Sequence, residues 1–213
     1  MDLETVEAKA PLNPRIESLS DLIFGLALSI GAISLTFNPP STVSGLFDDI
    51  LTFAFTFLIL ISVWVRYTHI MSSLPLENRW TMFLNTLLLF TVSVEPFLFN
   101  IVRAGNSALL DMASALYGVD LGVMMLVMGI FTVVLADKER KHVGKEMRKK
   151  LRNEAVTWLI SAAVFLISST PIFNGLSFEG TLVREELWVG ALLVVFVRRR
   201  AAKLKAAPGV HAQ

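Results

Sequence analysis

The chain reads as an all-α membrane protein with six transmembrane helices. Three observations lead there. Of its 213 residues 54% are hydrophobic and its mean hydropathy is +0.62, which suits a polytopic membrane protein better than a water-soluble globule. Several apolar runs approach the length of about 20 residues that a helix needs to cross a hydrocarbon core of roughly 30 Å. With six spans and the N-terminus in the cytoplasm, every Lys and Arg except Arg103 and Arg184 falls on the cytoplasmic side. Five or seven spans would place the basic C-terminal cluster opposite the basic middle one. The chain is expected to form one domain, 1–213, without a soluble appendage or an internal repeat.

The elements follow in order. Residues 1–13 are polar and mixed in charge. Asn13-Pro14 then offers an N-cap and a proline at the first helical position. Acidic residues before the first apolar run and the lack of a small-residue cleavage pattern after it argue against a cleavable signal peptide. Span 1, about 19–37, is broken only by Gly25, Ser29, Gly31, Ser34 and Thr36, and Asn38-Pro39-Pro40-Ser41 stops it. Span 2, about 45–66, is rich in Phe and Leu, with Trp64 and Tyr67 placed for an interfacial aromatic belt. Span 3, about 80–102, carries Asn85, Glu95 and Pro96, which need partners inside a membrane.

Span 4 covers about 119–136, with residues 107–117 either an interfacial helix or its beginning. The basic connection 137–153 is solvated and continues helix beyond the membrane, and topology alone accounts for its charge. Span 5, about 155–173, ends at Pro171 and Asn174-Gly175; span 6, about 182–197, ends at Arg198-Arg199-Arg200.

The absence of cysteine excludes disulfides and thiolate metal sites. His69, His142 and His211 are too scattered for a metal centre. No G-x-S-x-G, Walker loop, H-E-x-x-H or aspartyl dyad is present, so neither an enzyme nor a cofactor is expected. Glu95 reads as an interfacial carboxylate satisfied by water, with a cation-concentrating vestibule as the alternative. Asp111 and Asp120 are expected at the outer surface or interface.

Span 1 carries the richest pattern. Leu26, Ile30 and Ile33 fall within about 60° of one another on a helix, and Ser29 lies about 60° from Leu26. Apolar stripes also arise from ordinary packing or lipid contact. Arg15 and Asp21 sit at the span's threshold, where Ser18-x-x-Asp21 also fits a capping box. Six residues apart, they diverge by about 120° and must find partners on other helices or other subunits.

Arg15-x-x-x-Leu19-Ser20-Asp21 resembles the R-x-x-x-F-S-D signature of the transmembrane protein 175 family, the endolysosomal potassium channels and their prokaryotic homologues. Leu19 replaces the signature phenylalanine. Asn85, Leu87-Leu88-Leu89 and Pro96-Phe97 resemble the family pattern in span 3; His69 resembles a histidine of its polar network, though Arg66 stands where an aromatic is expected. The resemblance implies a homotetramer in which span 1 lines the pore. The constriction falls on Leu26, Ile30 and Ile33, the selectivity hydroxyl on Ser29, and the polar network on Arg15, Ser20, Asp21, His69 and Asn85. The permeant ion is potassium, passing near Leu26 and Ser29 with modest preference over sodium, because the chain has no T-V-G-Y-G filter. The implied setting is the plasma membrane, with both termini cytoplasmic and the lipid bilayer, not nucleic acid, as surroundings. The competing readings are a proton-conducting channel or proton-coupled transporter using Asp21, Glu95 or His69, and a non-transporting membrane scaffold.

Overall fold

The computed structural model describes residues 13–36, 39–72, 79–104, 109–138, 145–178 and 181–193. Among them are six helices: α1 Asn13–Ser34, α2 Val43–Met71, α3 Arg79–Arg103, α4 Leu110–Lys138, α5 Lys145–Ser168 and α6 over 183–193. The first five are long and apolar enough to cross a membrane. Residues 194–197, assigned to the end of span 6, and the arginines at 198–200 lie outside the described residues.

Boundaries follow local chemistry. Asn13 and Pro14 open α1, so Ser18 lies inside the helix and is not the N-cap of a capping box. Thr42 caps α2, its hydroxyl accepting from the Gly45 N–H at 3.1 Å. That helix continues to Met71, which draws Tyr67 inside the bundle, where it is buried, and away from an interfacial belt. Pro96 sits within α3 without ending it. The helix of span 4 begins at Leu110, so residues 110–117 belong to α4. Residues 145–152 of the basic connection form the first turns of α5.

Beyond Ser168 the chain departs from the expected uninterrupted span. A single 3₁₀ turn, Pro171–Phe173, leads to a two-strand antiparallel hairpin, β1 Ser177–Phe178 with β2 Thr181–Leu182, before α6. Gly175, between turn and hairpin, has φ +69°, a left-handed conformation that glycine adopts without steric cost.

The core lies around α4, which packs on α5 and α3 and touches α2. Gly118-x-x-x-Gly122 on α4 brings it close to α5. A methyl group on Gly122 would stand 2.7 Å from Leu166, and one on Gly118 would collide with the Ser169 hydroxyl. Lipid tails are as apolar as leucine, so such close contact, with its dispersion energy, is what holds helices together in a bilayer. Leu88, Val92, Leu121, Met124, Met128, Phe131 and Phe165 fill the interior. α1 lies at the edge, against α3 and α2.

Candidate functional site

α1 has two unlike faces. Ser20, Phe24, Ala27, Gly31 and Ser34 recur at helical spacing and are buried against the bundle. The other face carries Leu26, Ile30 and Ile33, which are 61%, 43% and 54% exposed. Leu19 and Leu22 lengthen this stripe, at 54% and 70% exposed. Leu22 was absent from the sequence-derived set although it stands one turn before Leu26. Ser29 is exposed beside the stripe, and its hydroxyl donates to the Gly25 carbonyl at 2.8 Å. With its single hydrogen directed to the backbone, the hydroxyl oxygen keeps lone pairs for an outside cation.

Behind that face runs a chain of polar groups. The Ser20 hydroxyl is 2.7 Å from the Tyr67 hydroxyl, which donates to Asn85 Oδ1 at 2.7 Å. Ser20 also lies 2.7 Å from the Ile16 carbonyl. Two hydroxyl hydrogens thus serve three short contacts, so one of the two is shared. This chain joins α1, α2 and α3 through side chains that are all buried.

Asp21 finds its partner on α2, as the divergence from Arg15 requires: Trp64 Nε1–H donates to Asp21 Oδ1 at 2.9 Å. The Arg15 side chain lies outside the described ones. His69 is exposed, two residues beyond Tyr67 and on another face of α2, so the structure does not bring it to Ser20 and Asn85. Tyr67 and Trp64, placed by the sequence in an aromatic belt, are the α2 partners of Ser20 and Asp21. Their spacing of three put both polar handles on one side of α2, a signal hidden by ending that span at residue 66.

At the far end of α1, Arg103 forms a clasp. Its Nε and Nη2 donate to the two oxygens of Asp49 at 3.0 and 2.6 Å, and its Nη1 donates to the Ser34 carbonyl at 3.0 Å. One guanidinium thereby ties the end of α1 to the first turns of α2 and the last turn of α3. A comparable node lies at the α5–α6 connection. Arg184, wholly buried, donates to the Asp111 carbonyl, the Ser114 hydroxyl and Asn174 Oδ1 at 2.7, 3.0 and 2.7 Å.

The two acids expected near water are inside. Glu95 is fully buried, with its Oε1 accepting from the Tyr117 hydroxyl at 3.2 Å, and Asp120 is buried on α4. They lie where α3 packs on α4, so the helix pairing removes both from solvent. Among the described residues no three His, Asp or Glu side chains group as metal ligands, and His142 and His211 lie outside them.

Comparison with known proteins agrees with this architecture. The family model of the endosomal/lysosomal potassium channel TMEM175 matches residues 15–96, which span α1, α2 and most of α3. A protein of Marivirga tractuosa described as a potassium channel is 29% identical over 161 residues, covering 73% of this chain. The match takes in 56% of that relative, so the chain spans little more than half its length. The crystal structure of a lysosomal potassium-selective channel TMEM175 homolog from Chamaesiphon minutus superposes with a TM-score of 0.60 at 19% identity. That match covers 87% of this chain and 97% of the other and shows a common fold. This multi-pass chain is therefore similar to the TMEM175 family of potassium channels in the sequence of residues 15–96, and it shares the fold of the Chamaesiphon minutus homolog.

Proposed function

We propose that the protein is a cation channel, modestly selective for potassium over sodium, in which α1 helices from four copies line a passive pore. The observation that carries this reading is the division of α1. One face is sealed against α2 and α3, and the other presents Leu22, Leu26, Ser29, Ile30 and Ile33, all exposed among the described residues. Four such stripes around an axis make a narrow apolar neck. An ion would shed water there without replacement ligands, so the neck conducts when widened enough to stay wet and closes by dewetting.

Ser29 is the one outward hydroxyl between Leu26 and Ile30, and its backbone bond leaves it an acceptor. Four copies offer a ring of few ligands, which supports a modest preference among monovalent cations. Asp21, with Arg15 one and a half turns earlier, marks the cytoplasmic mouth, and the plasma membrane with both termini inside is the corresponding setting. The groups invoked for proton carriage do not line up: Asp21 is exposed on α1, His69 on α2, and Glu95 is enclosed between α3 and α4.

Single-channel recording of the purified protein in a planar bilayer with asymmetric potassium and sodium tests the proposal. Unitary steps that reverse towards the potassium potential are expected. Saturable, pH-driven exchange without steps, or no flux at all, overturns it.

A further inference from the structure

Two carboxyl groups inside the bundle have no part in the pore reading. Glu95 on α3 is fully buried and Asp120 on α4 is 7% exposed. Tyr117 donates to Glu95 Oε1 at 3.2 Å and its hydroxyl lies 2.7 Å from Thr56 Oγ1. The Tyr117 ring is held between Phe99 and Trp188, which keeps that hydroxyl in place. One oxygen of each carboxyl, Glu95 Oε2 and Asp120 Oδ2, is buried without any hydrogen-bond partner, and Asp120 follows Tyr117, the donor to Glu95, by one turn of α4.

The described neighbours of the pair carry no positive charge. Thr56 faces the site from α2, Tyr117 and Asp120 from α4, Glu95 from α3, and Trp188 closes the cluster from α6. Arg103 is clasped to Asp49, and Arg184 to Asp111, Ser114 and Asn174. Two ionised carboxylates enclosed where α3 packs on α4, without a cation, are not sustainable where water is excluded. A proton or a metal ion must neutralise them. Both orphaned oxygens are buried away from solvent, which favours the ligand that needs least room.

We propose that Glu95 and Asp120 together form an intramembrane proton-binding site, separate from α1, in which at least one proton resides on the pair at neutral pH. Tyr117 serves the Glu95 oxygen that remains an acceptor, and the proton satisfies an oxygen that otherwise has no partner. The pair titrates as a unit, so its occupancy belongs to neither residue alone. Losing the proton would set like charges against each other across the α3–α4 contact, making that contact sensitive to pH. Neither Leu26 nor Ser29 enters the argument, so the site stands or falls independently of the pore.

Infrared difference spectroscopy on the full chain in liposomes tests this directly. At neutral pH, wild type minus Glu95→Gln and wild type minus Asp120→Asn should reveal a protonated-carboxyl carbonyl band that fades as pH is raised. Wild-type protein carrying ¹³C-carboxyl glutamate or aspartate gives the same assignment without relying on either variant to fold. Ionised carboxylate bands alone at neutral pH overturn the proposal. So does a protonated band that appears only after metal cations are stripped, since the site would then hold metal.

Discussion

At the scale of single residues, Leu26 and Tyr67 occupy opposite sides of α1 and do opposite work. Leu26 touches little of its own chain, so Leu26→Ala should leave the melting temperature nearly unchanged. In the proposed pore it widens the neck, and potassium flux into liposomes should rise several-fold; unchanged flux for Leu26, Ile30 and Ile33 replaced in turn would sink the pore assignment. Tyr67→Phe removes the hydroxyl that bridges Ser20 and Asn85. Interhelical hydrogen bonds in membranes average only about 0.6 kcal/mol. Leaving a buried acceptor unserved costs about 1–3 kcal/mol, and Asn85 is just 5% exposed, so the expected loss lies in that higher range. A lowered melting temperature in detergent, unaccompanied by loss of helical signal at low temperature, checks it.

Elements show why parts of this architecture were readable and others were not. The start of α1 follows from Asn13 and Pro14, which suit a helix N-terminus, while Arg79 and Arg103 bound the apolar run that becomes α3. The exposed stripe of α1 was visible because period 3.6 survives in any environment. Burial of Glu95 and Asp120 was not, because charge alone points to water and only the α3–α4 pairing encloses them. Likewise the 3₁₀ turn and hairpin after Ser168 depend on the Arg184 node, a contact across 73 residues to Asp111. Close approach of α4 to α5 predicts that Gly122→Leu forces the pair apart. Overpacking usually costs about 1–3 kcal/mol, and because Leu166 backbone as well as side chain stands near, the cost should exceed that of Gly25→Ala, where space is open. Arg103→Gln should weaken the protein by somewhat less than the 3–5 kcal/mol, approximately, of a fully buried broken pair, since Asp49 keeps 22% of its side chain in solvent. Thermal unfolding of both variants measures these losses.

For the whole molecule, the absence of cysteine supplies a clean background for topology. A cysteine at Lys149 should react with an impermeant thiol reagent only from the cytoplasmic side, and one at Phe178 only from the opposite side; labelling of both from one side would remove the six-span arrangement. Chemical cross-linking in native membranes should arrest at four copies, and a species that stops at two would exclude a fourfold axis. Two polar tethers also fix α1. Ser20 is tethered near one end and the Ser34 carbonyl is gripped by Arg103 at the other. Between these tethers Phe24 and Ala27 are packed into the bundle while Leu26 and Ser29 face outward, so the helix is a rail fastened along one edge with its other edge open. Gly25 keeps that open edge slim, since a methyl group there would meet nothing within 4 Å.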